Sequence, residues 1–180
     1  MIVTRYALVV IDMQEKLLPL IRGWREVLTN VIKLVKTAKV LEIPIVATEQ
    51  YPKGLGRTVP ELVELLGVRP LEKTTFSCFG AKGFEEKLRE LRADALIVTG
   101  IEAHICVTQT VLDALDRGFK VYVPADATGS RRELDWLIAL DRMRAHGADV
   151  ATTEMVMFEL IHDAARPEFK EILKLVKEHS

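Results

Sequence analysis

Asp12, Lys73 and Cys106 have side chains whose types could together break an acyl bond. A thiol attacks as its thiolate, and its ordinary pKa of about 8.5 falls at a helix N-terminus or beside a cation. Cys106 lies where the apolar run 95–98 breaks at Thr99-Gly100 and gives way to a helical pattern, which places it at a helix start. Lys73 would supply the cation, and Asp12 would accept the thiol proton and later activate water. Backbone N–H groups of the tight loop from Gly100 to Cys106 could hold the oxygen of a tetrahedral intermediate, an arrangement that contributes roughly 3 to 4 kcal/mol per donor where it has been measured. Together these parts describe a cysteine acyl-transfer hydrolase. Singly, each has a plainer use: an Asp after a strand caps a helix, a lysine sits at the surface, and a free cysteine packs in a core. The chemistry rests on the combination.

The chain must therefore bring the three together. Short β-branched runs at 6–11, 44–48, 95–99, 120–124 and 149–153 alternate with helical patterns at 24–41, 60–66, 83–92, 106–117, 132–145 and 167–178. A further short strand over 70–72 would put Lys73 at its end. Gly67, Gly118 and Gly147 stand where helices should stop. Strands apolar on both faces, alternating with helices, predict a parallel sheet covered on both sides. In such a sheet, sites form beyond the carboxyl ends of the strands. Asp12, the 48–51 segment, Lys73, the 100–106 loop and Asp126 all fall there.

Composition narrows the partner. The 180 residues are 49% hydrophobic, enough for one domain spanning 1–180 with a sizeable core. The 25 basic and 26 acidic side chains leave a net charge of −1, which points away from nucleic acid or a membrane surface and toward a small-molecule substrate. No signal-like start and no membrane-length apolar run appear, so a cytoplasmic protein is expected. Cys78 and Cys106 read as free thiols.

The stretches ALVVIDMQEKL, TEQYPKGLGRTVPEL, EKTTFSCFG and GIEAHICVTQTVLDALDRGFKVYVPADATGSR resemble the isochorismatase-like cysteine hydrolases through nearly the whole chain. The likeness is greatest to the isochorismatase domain-containing proteins, which share the EQYPKGLG loop and the PEFKEILKLVKE tail. It implies a three-layer, Rossmann-like α/β fold with a six-stranded parallel sheet flanked by helices, and a homo-oligomer. It also implies a triad at Asp12, Lys73 and Cys106. A non-proline cis peptide between Ile101 and Glu102 would turn the Glu102 N–H toward that of Cys106, forming an oxyanion hole. Nicotinamidases of the family hold a metal through histidines after the second strand. Here 48–62 has none, and His104, His146, His162 and His179 lack ligand spacing, so neither metal nor cofactor is expected. Isochorismatases proper cleave a vinyl ether without a nucleophilic cysteine, so Cys106 favours covalent hydrolysis of small amide-type substrates.

Other residues could complete the pocket. Gln14 would hold a substrate or the neighbouring loop, and Glu49, Gln50 and Tyr51 sit where a substrate would enter. Phe76 would pack on a flat substrate or in the core. His104 would reach the pocket or face solvent, and Ile101 lies in the loop itself. Asp126 and Thr128 read as loop holders, and Leu134, Leu137, Ile138 and Met143 as core or interface. Three rival functions stay open: a catalytically silent binding or scaffold protein, a nicotinamidase-like activity without metal, and a thiol redox protein using Cys78 and Cys106.

Overall fold

The structure is a computed structural model that describes residues 4–178. Its centre is the run YALVVI, β1 (Tyr6–Ile11), in which Ala7 through Ile11 are all buried. Both faces of that strand need cover, and the chain provides it with helices on each side of a parallel sheet. In chain order the elements are β1, α1 (Trp24–Val40), β2 (Ile45–Gln50), α2 (Pro52–Leu55), α3 (Pro60–Leu66), β3 (Leu71–Lys73), α4 (Phe84–Glu90) and β4 (Ala95–Ile101). There follow α5 (Thr108–Asp116), β5 (Lys120–Pro124), β6 (Thr128–Gly129), α6 (Glu133–Ala145), β7 (Asp149–Ala151), α7 (Thr153–Ile161) and α8 (Phe169–Lys177).

The strand order is β3-β2-β1-β4-β5-β7, all parallel, with β6 pairing beside β4 beyond the end of β5. The expected α/β fold is present, but the sheet has seven strands rather than six. The added strand is the two-residue β6, too short to leave an alternating pattern in sequence. On one face α1, α3, α7 and α8 bury Val31, Leu34, Leu62, Met157 and Ile172 against Leu8, Val10 and Ile97. On the other, α4, α5 and α6 bury Phe84, Leu88, Val111 and Met143 against Val9, Ile11 and Val98. Because the order reverses between β1 and β4, their carboxyl ends flank the crevice where open α/β sheets carry their sites.

Two boundaries differ from the sequence reading. β4 does not break at Thr99-Gly100 but runs on to Ile101. Gly100 permits this, at φ +109, because any Cβ there would collide with the Ile11 backbone of the adjoining strand. The strand expected over 149–153 stops at Ala151, since the Asp126 carboxylate takes the Thr153 N–H at 2.7 Å and its hydroxyl at 2.9 Å. Thr152 then caps α7, accepting from Met155 N at 3.3 Å. No helix was expected there. The apolar run MVMFELI lacks a clean 3.6-residue stripe, and its start signal is the Thr152 cap. No helix of the described residues is long and apolar enough to cross a membrane.

Candidate active site

Asp12 follows β1 directly in a left-handed conformation, φ +53, its N–H donating to Thr48 O at 3.1 Å. That bend turns its carboxylate to meet two neighbours. Thr48 donates its hydroxyl to Oδ1 at 2.8 Å, and Lys73 donates Nζ to Oδ2 at 2.8 Å. Lys73 closes β3, registered against Gln50. Both charged side chains are fully enclosed, at 0% exposure. Lys73 Nζ also lies 2.6 Å from Gln50 Oε1, 2.9 Å from Phe76 O and 3.2 Å from Thr75 O, so every ammonium proton has an acceptor. Burial pulls the Lys73 pKa down, but Asp12 and the two nearby thiols outweigh it and hold the lysine above its ordinary value, as a cation.

Cys106 comes from the segment after β4. The Ile101–Glu102 peptide is cis. Residues Ala103–Val107 then form a π-helical turn that leads into α5, so Cys106 sits inside the entry turn. Thr108 donates its hydroxyl to Ala103 O at 2.6 Å, and Thr110 donates to Cys106 O at 2.7 Å. Thr110 Oγ1 in turn accepts Cys78 N–H at 3.0 Å, which ties the two cysteine segments together.

The Cys106 thiol departs from the sequence reading. Burial, followed by the Asp12 charge, pushes its pKa up to about 12, and Lys73 only partly offsets them. The free protein therefore holds a protonated thiol near the Asp12 carboxylate, whose charge is the second cause of the rise. The expected depressed pKa required Lys73 to dominate, but Lys73 is already saturated by Asp12 and three other oxygens. Cys78, wholly buried with Sγ 3.7 Å from Thr48 Oγ1, is raised to about 11 by burial first and Asp12 second. Both cysteines are free.

Several pocket candidates have structural work instead. Gln14, wholly buried, donates Nε2 to Gln50 O at 2.9 Å and Gly56 O at 2.8 Å, and accepts Gln50 N–H at 2.7 Å; it holds the loop after β2 and has nothing left for a substrate. Glu49 points to the opposite side of β2 from Thr48 and accepts from Thr58 N, Thr58 Oγ1 and Arg57 Nη1 at 2.7, 2.8 and 2.9 Å. It does not reach the entrance. Ile101 is a core side chain at 0% exposure, so only its backbone faces the site. Gln50 orients Lys73 and also donates Nε2 to Thr74 O at 2.9 Å. Tyr51 and Phe76 are exposed aromatics, at 55% and 53%, in segments whose backbones bond Lys73.

The Glu102 carboxylate turns away from the thiol to accept Arg131 N at 3.2 Å and Nε at 3.1 Å. His104 Nδ1 lies 2.8 Å from Ser130 Oγ. Ser130 and Arg131 thus clasp the 102–104 loop, a role that long-range separation hid from sequence. His146 Nδ1 meets Arg142 O at 2.8 Å as a helix-end cap, His162 follows α7, and His179 lies outside the described residues. Among the described residues no three His, Cys, Asp or Glu side chains group to hold a metal ion.

An open parallel sheet with an enclosed acid, cation and thiol at its switch point defines an α/β protein with a buried polar cluster at the carboxyl edge. Residues 6–155 match the isochorismatase domain, and the chain belongs to that family. Human isochorismatase domain-containing protein 2 is 46% identical over 168 residues, spanning 93% of this chain and 80% of the relative. The Caenorhabditis elegans structure described as MAR1 ribonuclease superposes with a TM-score of 0.91 at 40% identity, covering 96% of this chain and 90% of that one. The Escherichia coli YcaC gene product, described as an octameric hydrolase of unknown specificity, has a TM-score of 0.85 at 25% identity and covers 98% and 95%.

Proposed function

We propose that this chain is a cytoplasmic, self-associating hydrolase of small amide-type C–N substrates, with Cys106 as nucleophile. The observation that supports it most is the enclosed Asp12–Lys73 pair, 2.8 Å apart, near enough to the Cys106 thiol for both charges to act on it. Asp12 accepts the thiol proton as sulfur bonds to the substrate carbonyl, and the oxyanion rests on the Glu102 and Cys106 N–H groups. The intermediate collapses as Asp12 returns that proton to the leaving amine, so the C–N bond breaks and a thioester remains. Water then gives a proton to Asp12 and its oxygen to the acyl carbon; the acid leaves and Cys106 regains its proton. Lys73, bonded to Asp12 Oδ2 at 2.8 Å, holds that carboxyl group in place as the proton comes and goes. A raised thiol pKa suits this order, because the proton moves only when a carbonyl is present to be attacked. Protein with such a site turns over without a bound cofactor.

The Caenorhabditis elegans neighbour's description raises phosphodiester cleavage as a second reading. Against it, the groove that gathers Arg5, Arg89, Arg92 and Arg117 lies at the amino ends of β1, β4 and β5, the opposite edge from Asp12 and Cys106, and three of those arginines are paired with Asp94 or Glu85 within it. A panel of primary amides together with single-stranded RNA tests both. The expected result is ammonia release from at least one amide, lost about 10³-fold or more in Cys106→Ala, whose melting temperature stays close to wild type. Amide turnover retained by that variant would sink the mechanism. RNA cleavage that outlasts it would transfer the activity to another site, and a panel silent for both substrate classes would favour the binding-protein reading.

A further inference from the structure

A helix on the surface of an α/β domain needs one apolar stripe, yet α6 has two. Its inner side, Ala139, Leu140 and Met143, is buried against the sheet. Leu134, Leu137 and Ile138, spaced to share the outer side, are 64%, 46% and 58% exposed. Charge is distributed unevenly around this stripe: the first turn carries Glu133 and Asp135, the last turn Arg142 and Arg144. Their neighbours within the chain compete unequally. Arg22 to Glu133 and Asp141 to Arg144 are exposed pairs, of the kind that contribute little, Asp135 is held by two Arg132 bonds, and Arg142 has no ion pair among the described residues.

We propose that this face of α6 binds the α6 of a second copy, antiparallel, about a twofold axis near Leu137 and Ile138. A twofold contact pairs a surface with itself, so it needs a self-complementary pattern. Running the two helices in opposite directions lays Leu137 of each copy on Ile138 of the other, with Leu134 opposite Asp141. It also brings each acidic first turn to the other's basic last turn. A parallel pairing would oppose like charges at both ends. The contact borders the proposed active site, because Ser130 and Arg131, directly before α6, hold His104 and Glu102. From the preceding reading this takes only that the chain self-associates.

Light scattering on the eluting full chain is the test. Wild type should run at a multiple of 20.3 kDa, and Leu137→Glu/Ile138→Glu should have half that mass or less with an unchanged circular dichroism spectrum. Two charge variants then fix the direction. Glu133→Arg/Asp135→Arg and Arg142→Glu/Arg144→Glu should each associate poorly alone and recover the wild-type mass when mixed, since only the mixture opposes unlike charges. Wild type at one chain's mass would overturn self-association itself. An oligomer indifferent to Leu137→Glu/Ile138→Glu would overturn this face while leaving self-association standing, and charge variants that behave alike alone and mixed would overturn the antiparallel arrangement.

Discussion

Asp12, just past β1, and Glu49, on neighbouring β2, are two buried carboxylates, and their bonds match closely. Each accepts a threonine hydroxyl at 2.8 Å and a cation's N–H, from Lys73 at 2.8 Å or Arg57 at 2.9 Å. They part in what encloses the pair. Lys73 is wholly buried and Asp12 faces a thiol, whereas Arg57 is 63% exposed and also binds Glu72, and Glu49 faces the Thr58 backbone. A buried, paired carboxylate is thus no mark of chemistry by itself. What sets Asp12 apart is a cation the solvent cannot reach and a thiol near both.

That contrast breaks first at the cations. Lys73→Met leaves Asp12 buried without a counter-charge, so it should cost roughly 3–5 kcal/mol in urea unfolding. Arg57→Met leaves Glu49 its two Thr58 bonds and a path to water, and should cost about 1 kcal/mol or less. Comparable losses would mean the two sites are the same kind of structural pair. Activity should divide in the same way: Asp12→Asn should lower amide turnover about 10²-fold or more, and Glu49→Gln should leave kcat unchanged.

The second prediction concerns acid. Burial raises the Glu49 pKa, but the Thr58 and Arg57 hydrogen bonds outweigh it and hold the carboxyl below its ordinary value of 4.5. A group depressed on folding stabilises above its unfolded pKa and loses that contribution as pH falls through the folded one. Wild type should therefore lose stability below about pH 4.5 more steeply than Glu49→Gln, which starts lower by about 1–3 kcal/mol at neutral pH. Parallel acid limbs for the two proteins would show that Glu49 titrates alike folded and unfolded.

The sequence showed Asp12, Lys73 and Cys106 because each ends or follows a strand, and strand ends are what periodicity locates best. It also showed five of the seven strands by pattern and β3 by inference. What it could not show is orientation beyond the strand. Glu49, Gln50 and Tyr51 looked equivalent as neighbours, yet alternation along β2 sends Glu49 away from the Thr48 side, and Gln50 is drawn off to Lys73. Gln14 could be given either a substrate or the neighbouring loop, and only partners 36 and 42 residues away decide for the loop. The sign of the Cys106 shift was hidden for a related reason. The spacing suggested a cation near the thiol but not how many oxygens already share that cation.

The last prediction sets the two thiols against each other, with rate changes rather than losses of stability. Iodoacetamide alkylation of Cys106, resolved by mass, should be slow at neutral pH and keep rising past pH 9, since the thiol titrates at about 12. Asp12→Asn should quicken it at a given alkaline pH and Lys73→Met should slow it, because the carboxylate raises that pKa and the lysine lowers it. Cys78, with a pKa of about 11, has the lower value of the two, yet it should stay unmodified over the same interval because it is wholly buried. The same shifts make stability fall between about pH 9 and 12, where the unfolded chain gives up thiol protons that the folded one keeps. A Cys106 profile with its midpoint below pH 8 would return the site to a preformed thiolate. A profile that is late, and that moves oppositely in the two variants, would mean that a waiting acid–base pair, rather than a charged sulfur, is what this pocket preserves before substrate arrives.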